Sequence, residues 1–257
     1  MDNFEKQELT MMLEVRNITI GYRRKTIQKD INLKAHESEF ISLIGTNGTG
    51  KSTLLRSLAA LQPTLSGEIY VDGQEIHHIT PNERSKKISV VLTDTIAAEQ
   101  LTVYDLIAMG RIPYTSWTNR KSTMDEEIIR LAADDVKLIH KIHSPVNELS
   151  DGEKQRATIA RALAQDTPVI LLDEPTSHLD MPNRMEIMIL LKRLAEERRK
   201  TIIISTHELN LALQHSHHIW LLTRTEPVIS DTPENILQNP AFQRAFASEH
   251  FDPKKLQ

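Results

Sequence analysis

The sequence predicts an α/β fold with a parallel central sheet, and three features carry that prediction. Phe40-Ile41-Ser42-Leu43-Ile44, Val169-Ile170-Leu171-Leu172 and Ile202-Ile203-Ile204 are nearly continuous apolar runs, as strands buried on both faces are. A helical stretch from about Arg184 to Arg198 separates the last two, and such alternation requires crossover helices between parallel strands. The first run leads directly into a glycine-rich loop, Gly45 to Ser52, followed by helix formers.

Each remaining element has its own signal. Leu13 to Ile18 and Ile31 to Leu33 alternate apolar and polar residues, the pattern of half-buried antiparallel strands, which predicts an N-terminal antiparallel β subdomain. Ile69 to Gly73 reads as a strand closing in a turn, Thr80-Pro81-Asn82-Glu83 as a helix start, and Ile88 to Leu92 as a further strand. From about Leu101 to Arg161 the pattern turns helical: Thr102 and Asp105 have capping-box spacing, and Met124 to Leu138 places Ile128, Ala132 and Val136 on one face. Thr232-Pro233-Glu234 starts another helix near the end. There are no internal repeats, low-complexity tracts or interdomain linkers.

Composition narrows the class of partner. The net charge is −4 and the basic residues are scattered rather than striped, so no footprint for nucleic acid is expected. The absence of cysteine excludes disulfides, thiolate metal sites and a cysteine nucleophile. Residues 1–11 are mostly polar without the apolar core of a secretion signal, and read as a disordered extension; residues 251–257 read as a C-terminal tail. The longest apolar runs fall far short of the roughly 20 residues needed to cross a bilayer, so membrane association is expected to go through a protein partner.

Gly45-Thr46-Asn47-Gly48-Thr49-Gly50-Lys51-Ser52-Thr53 has the spacing of a phosphate-binding P-loop. Glycines let successive backbone N–H groups turn toward one anion, Lys51 supplies a cation for the β- and γ-phosphates, and Ser52 offers a hydroxyl to Mg²⁺. Asp173 ends a buried strand, where its carboxylate can hold Mg²⁺, and the adjacent Glu174 is placed to polarise an attacking water as general base. His207 follows the strand Ile202 to Ser205, where an imidazole can hydrogen-bond the γ-phosphate. His77-His78 and His215-Ser216-His217-His218 lack the separated, convergent spacing of a zinc site and are expected to be surface features.

Between the two halves of this site lies Leu149-Ser150-Asp151-Gly152-Glu153-Lys154-Gln155-Arg156. Ser150 and Glu153 have capping-box spacing, so a helix begins here, and Gly152 keeps its first turn bare. A bare helix start is an anion site, hence a second phosphate site that one chain cannot easily fold onto its own P-loop.

These motifs in this order resemble the ATP-binding subunit of an ABC transporter, over about Leu13 to Ala247. The resemblance implies a P-loop NTPase core, an ABC ATPase domain over residues 12–250 with a helical signature subdomain at about 100–162, and ATP with Mg²⁺ as ligands. It implies a head-to-tail homodimer in which Ser150, Asp151, Gly152 and Glu153 of one subunit bind the γ-phosphate held by the other. Tyr22 matches the aromatic residue that stacks on adenine, and Ser177-His178-Leu179-Asp180 matches the D-loop at the dimer interface. After the strand Ile88 to Leu92 the family has a glutamine that reaches Mg²⁺ and the attacking water. Here Thr93 stands in that place, followed by Asp94; its hydroxyl is shorter and presents no amide, and Gln100 lies too far along to substitute.

Leu101 to Tyr114 looks like the helical segment of importers for ferric siderophores, haem and cobalamin, which docks the membrane permease; Tyr114 and Trp117 are the candidate anchors. The expected partners are thus integral membrane permease subunits and, indirectly, a solute-binding protein, at the cytoplasmic face of the inner membrane. A soluble ABC-type ATPase not tied to transport is the alternative, but the DNA-acting type needs a long coiled-coil insertion and the ribosomal type fuses two cassettes. A stand-alone P-loop kinase or GTPase leaves Ser150 to Arg156 unexplained.

Overall fold

Alternating burial along β1 (Met11–Tyr22) and β2 (Lys25–His36) puts Leu13, Val15, Ile18 and Ile20 on the same side as Ile31, Leu33 and Ala35. The computed structural model describes residues 10–23, 25–92, 101–115 and 121–246. Thr93, Asp94, Gln100, Trp117, residues 1–9 and the 251–257 tail lie outside these. Met11, expected in the polar extension, is already in β1, where it pairs with His36.

The other strands are β3 (Phe40–Ile44), β4 (Ser66–Val71), β5 (Gln74–Glu75), β6 (Ile88–Val91), β7 (Val169–Asp173), β8 (Thr201–Ser205), β9 (His218–Leu221) and β10 (Ile229–Asp231). They form two sheets. One is antiparallel in the order β2-β1-β4-β5; the other runs β10-β9-β3-β8-β7-β6, parallel from β9 to β6 with β10 antiparallel at the edge. Every residue of β3, β7 and β8 is buried, which is why these runs are mostly apolar, with Ser42, Asp173, Thr201 and Ser205 as the polar exceptions.

The helices are α1 (Lys51–Leu58), α2 (Pro81–Ser85), α3 (Val103–Ala108), α4 (Thr123–Asp135), α5 (Asp151–Ala164), α6 (Met181–Glu197), α7 (Leu209–His215), α8 (Pro233–Gln238) and α9 (Pro240–Phe246). The space between the two sheets is filled by Leu54, Leu55 and Leu58 of α1 together with Ile41, Leu43, Leu171 and Ile203. On the other face, Ile187, Leu191 and Leu194 of α6 pack with Phe40, Ile170 and Ile202, and the same core runs on into α3, α4 and α5. Among the described residues no helix is long and apolar enough to cross a membrane.

The capped helix starts at Thr80, Thr102 and Ser150 fall where the sequence puts them, whereas α6 begins at Met181, three residues before the expected Arg184, and ends one residue before Arg198. The predicted run Met124 to Leu138 stops as α-helix at Asp135, because Lys137 takes a left-handed φ of 61°. Its N–H then bonds the carbonyl of Asp134, and that of Leu138 bonds Ala133, the two bonds of a Schellman end. Ala60 after α1, at φ 51°, closes its helix with the same two bonds, and Arg199 after α6, also at φ 51°, is followed by the Lys200 N–H bonding the Ala195 carbonyl. None of these three positions is the glycine that marks such an end in a sequence, and the stop at Lys137 was the one the periodicity overran.

One buried ion pair ties the helical subdomain together. Arg111, in the 3₁₀ segment Met109–Tyr114, donates from Nε to Asp125 Oδ1 at 2.8 Å and from Nη1 to the Ala164 carbonyl at 2.8 Å, joining three segments. Asp125 also accepts from the Ser122 N–H at 2.8 Å and hydroxyl at 2.7 Å. The Ser122 amide, then the Arg111 guanidinium, hold the Asp125 carboxyl down at about 2, against the opposing cost of burial. Its stabilising contribution is therefore fully present above the ordinary carboxylate range and is lost as pH falls through about 2. Asp125→Ala leaves a buried guanidinium without its carboxylate and is expected to destabilise the fold by about 3 kcal/mol, read by urea unfolding at neutral pH. The difference from the wild-type protein should shrink as the pH is taken toward 2.

Candidate functional site: a nucleotide cradle and a second helix start

The loop after β3 is shaped by its own backbone. Gly50, the residue before α1, sits at φ 103°, and a Cβ there would lie 2.7 Å from Ile27 Cγ2, so both the left-handed conformation and the close approach require glycine. Thr49 donates from Oγ1 to the Thr46 carbonyl at 2.9 Å, and Lys51 reaches back to donate from Nζ to the Gly45 carbonyl at 2.7 Å. Asn47 and Gly48 form the exposed tip, where the Asn47 carbonyl accepts from Arg224 Nη2 at 2.9 Å.

Among the described helices of eight residues or more, α1 alone starts without a side-chain cap; α4, α5 and α6 are capped by Ser122, Ser150 and Asp180. The first N–H groups of α1 thus have neither an intrahelical acceptor nor a capping oxygen, and the positive end of the helix faces the loop. Lys51 is buried beside them. Burial pushes its ammonium pKa down, opposed by the carboxylates of Glu174 and Asp173. A buried cation at an uncapped helix start is a site for a polyanion such as a nucleotide phosphate chain.

Parallel pairing delivers the acidic residues. Asp173 at the end of β7 stands opposite Ser205 at the end of β8. Asp173 Oδ1 accepts from Ser52 Oγ at 3.0 Å and from Ser205 Oγ at 2.6 Å. Glu174 follows in a left-handed conformation, φ 51°, which costs a non-glycine residue roughly 1 kcal/mol. Its N–H donates to Ser205 Oγ at 2.9 Å, and its Oε1 lies 2.5 Å from His207 Nε2. Tyr22 ends β1, 55% exposed as a residue and with its hydroxyl 3.2 Å from Thr53 Oγ1, an exposed aromatic beside the first turn of α1. Ser52, Thr53, Asp173, Glu174, His207 and Tyr22 are therefore gathered around the start of α1. Hard oxygen donors from one hydroxyl and one carboxylate, 3.0 Å apart, fit Mg²⁺, which keeps most of its other ligands from water and phosphate.

The signature segment lies elsewhere. Ser150 Oγ accepts from the Glu153 N–H at 3.3 Å and Glu153 Oε2 accepts from the Ser150 N–H at 3.0 Å, closing a full capping box at the start of α5. Glu153 also pairs with Lys141 at 2.6 Å, so its carboxylate is engaged on its own subunit. Ser150 and Asp151 are exposed. Helix α5 packs on α3, α4 and β6, whereas α1 packs on β1, β7 and β8, so the signature end is not set against its own P-loop. Gly152 is buried for a reason beyond a bare first turn: a Cβ there would lie 2.5 Å from Asn183 Oδ1. Asn183 is held in place because its N–H and its amide both donate to Asp180 Oδ1, at 3.0 and 2.7 Å. The starts of α5 and α6 are thereby brought together. Sequence reasoning did not single out Ser205, Asn183 or Lys141; for Ser205 the available signal was a hydroxyl ending an otherwise apolar strand beside His207.

The histidine clusters need one correction. His77 and His78 are exposed, but His217 and His218 are half-buried structural groups. His217 Nδ1 accepts from the Phe40 N–H at 2.9 Å, and His218 Nδ1 lies 3.3 Å from the buried Glu39, whose carboxylate raises the His218 pKa. Among the described residues no cluster of three or more His, Cys, Asp or Glu side chains is arranged to hold a metal ion.

A parallel sheet whose strand ends carry an acidic pair, facing a lysine-bearing loop and an uncapped helix, defines a P-loop nucleotide-binding protein. Comparison with known proteins narrows this. The family model described as ABC transporter matches residues 28–177, and the chain belongs to the ABC transporter family. It is 38% identical to the petrobactin import ATP-binding protein FpuC of Bacillus anthracis, over 93% of this chain and 88% of that protein. With the ferric enterobactin transport ATP-binding protein FepC of Escherichia coli it shares 32% identity over 93% of this chain and 88% of the relative. Among solved structures, a metal-chelate type ABC transporter in an inward-facing conformation superposes with a TM-score of 0.80 at 27% identity, covering 92% of this chain and 89% of that one. The dimeric ATP-binding cassette MJ0796 bound to ADP and Pi gives 0.73 at 30% identity, covering 86% and 99%.

The close approach of α5 and α6 generates a test. Gly152→Ala should destabilise the protein by about 1–2 kcal/mol in chemical unfolding, because the Asn183 side chain retreats at the expense of its amide bond to Asp180. Adding Asn183→Ala should recover much of that loss, whereas strictly additive losses would show that the two residues do not press on each other.

Proposed function

We propose that this chain is the ATP-binding and ATP-hydrolysing subunit of an importer for an iron chelate of the ferric siderophore kind, haem or cobalamin, with the ferric siderophore favoured. The observation that carries the catalytic reading is the continuous chain of contacts Ser52–Asp173–Ser205–Glu174–His207 at the uncapped start of α1. The names of the relatives, import proteins for petrobactin and ferric enterobactin, support the substrate class.

In this reading the N–H groups of Gly45 to Thr53 and the Lys51 ammonium bind the phosphate chain, and Tyr22 stacks on adenine. Ser52 and Asp173 would hold Mg²⁺, which neutralises charge on the β- and γ-phosphates. Glu174 accepts the proton of a water whose oxygen forms the new bond to the γ-phosphorus as the bond to ADP breaks. His207 steadies that carboxylate from 2.5 Å and donates to the γ-phosphate when nucleotide is present.

The exposed start of α5 completes the site of a second copy: Ser150, Asp151 and Gly152 face the γ-phosphate held by the partner, with Asp180 and the adjoining D-loop alongside. Glu153 serves this helix start from behind, through Ser150 and Lys141. The helical subdomain from Leu101 onward docks membrane permease subunits, which receive cargo from a solute-binding protein, at the cytoplasmic face of the membrane. Exposed Ile112 and Tyr114 are the described candidates for that contact.

Glu174→Gln should retain ATP binding, lower turnover at least ~100-fold and accumulate an ATP-bound dimer on gel filtration. A monomer with full hydrolysis would refute the base assignment. Mixing Lys51→Ala with Ser150→Arg subunits should restore one intact composite site per heterodimer, read as nucleotide occlusion that neither variant shows alone. Absence of occlusion in the mixture would rule out action in trans.

A further inference from the structure

Ser205 is fully buried and its single hydroxyl is engaged on both sides. At 2.6 Å from Asp173 Oδ1 it can only donate, since the carboxylate has no proton to give. Its remaining valence accepts the Glu174 N–H at 2.9 Å. One proton and one lone pair are thereby committed to two consecutive acidic residues, and the orientation of the hydroxyl follows without any choice. The parallel register fixes the arrangement, because Asp173 and Ser205 are direct partners across β7 and β8.

We infer that Ser205 is a positioning residue for ATP hydrolysis: it aims the Asp173 carboxylate at the metal and holds the Glu174 backbone in the left-handed turn that presents its side chain. This role presupposes the tasks proposed above for Asp173 and Glu174. Ser52 and Ser205 both donate to the same oxygen, Oδ1, but their situations differ. Ser52 begins a helix beside the phosphates, and its hydroxyl must turn its lone pair to a cation when nucleotide binds. Ser205 ends β8, with its hydroxyl committed to Asp173 and the Glu174 N–H, and is a donor that stays on Asp173 through that exchange. Glu174 needs a second constraint, since φ 51° is a conformation a glutamate does not keep unaided. Ser205 supplies one through the N–H, beside the bond of the Ser177 N–H to the Glu174 carbonyl at 3.0 Å, while His207 contacts only the side chain.

The test uses Ser205→Ala and Ser205→Thr in the full chain, with Glu174→Gln alongside and thermal melting as the control for folding. Two quantities are read: steady-state hydrolysis, and binding of a fluorescent ATP analogue titrated with Mg²⁺ or measured in EDTA. Ser205→Ala should lower kcat about tenfold with KM changed less than about threefold, and raise the Mg²⁺ concentration for half-maximal binding severalfold. Binding in EDTA should stay within about twofold, because the phosphate loop is untouched. Ser205→Thr keeps the hydroxyl and should restore both quantities. A folded Ser205→Ala protein with wild-type kcat and Mg²⁺ dependence, beside an inactive Glu174→Gln, would overturn the role of Ser205 alone. A fully active Glu174→Gln would overturn the catalytic reading and this role with it. Should the alanine variant fail to fold, Ser205→Cys, of similar volume with a weak donor, is read on the same two measurements; wild-type behaviour there would equally refute the inference.

Discussion

A carboxylate at the end of a buried strand has to be satisfied, and much of the site is arranged around meeting that demand for Asp173. The parallel sheet brings β7 and β8 into register so that Ser205 stands opposite it. The loop after β3 turns back so that Ser52, in the first turn of α1, reaches the same oxygen. Unpaired, the charge would be expensive to bury; with two hydroxyl donors it is held at the edge of the sheet where the phosphate loop opens. The same contacts link two strands and a helix, so geometry at the site and packing of the sheet are one problem. Glu174 inherits its place from this arrangement, because its N–H is anchored to the hydroxyl that holds its neighbour.

Capping divides the helix starts into two kinds. Ser122, Ser150 and Asp180 satisfy the starts of α4, α5 and α6 with their own side chains, whereas the start of α1 is left to backbone N–H groups and a buried lysine. A capped start is stable alone. An uncapped one beside Lys51 calls for an anion, which couples nucleotide binding to the order of the loop. The start of α5 is intermediate: its capping box is closed, but Ser150 and Asp151 remain exposed, pressed toward α6 by the contact of Gly152 with Asn183. That contact sets the start of α5 beside Asp180, the surface proposed above to complete the site of a second copy.

The helical subdomain shows how a buried charge can organise a region without taking part in chemistry. Arg111 and Asp125 join the 3₁₀ segment, the start of α4 and the end of α5. Removing either partner strands the other, so the pair specifies one arrangement of these segments more than it adds to overall stability. Its place is hard to read in sequence, since Arg111 and Asp125 come from separate elements whose approach is set by packing.

Local chemistry determined a great deal here. The apolar runs of β3, β7 and β8, the helix start at Thr80 and Pro81, and the capping spacings Thr102/Asp105 and Ser150/Glu153 are short-range signals, and each appears in the structure as read. They act within one or two turns of chain, where backbone sterics and nearby side chains decide the outcome. Contacts between distant segments were decided only by the tertiary structure. Ser205 under the acidic pair, Asn183 against Gly152, the Arg111–Asp125 pair and the conversion of His217 and His218 from expected surface groups to half-buried ones all depend on strand register and helix packing. Left-handed ends at Ala60, Lys137 and Arg199 belong with them. A residue with a Cβ takes that conformation only where the surrounding bonds outweigh its cost, and those bonds exist only once the chain has folded.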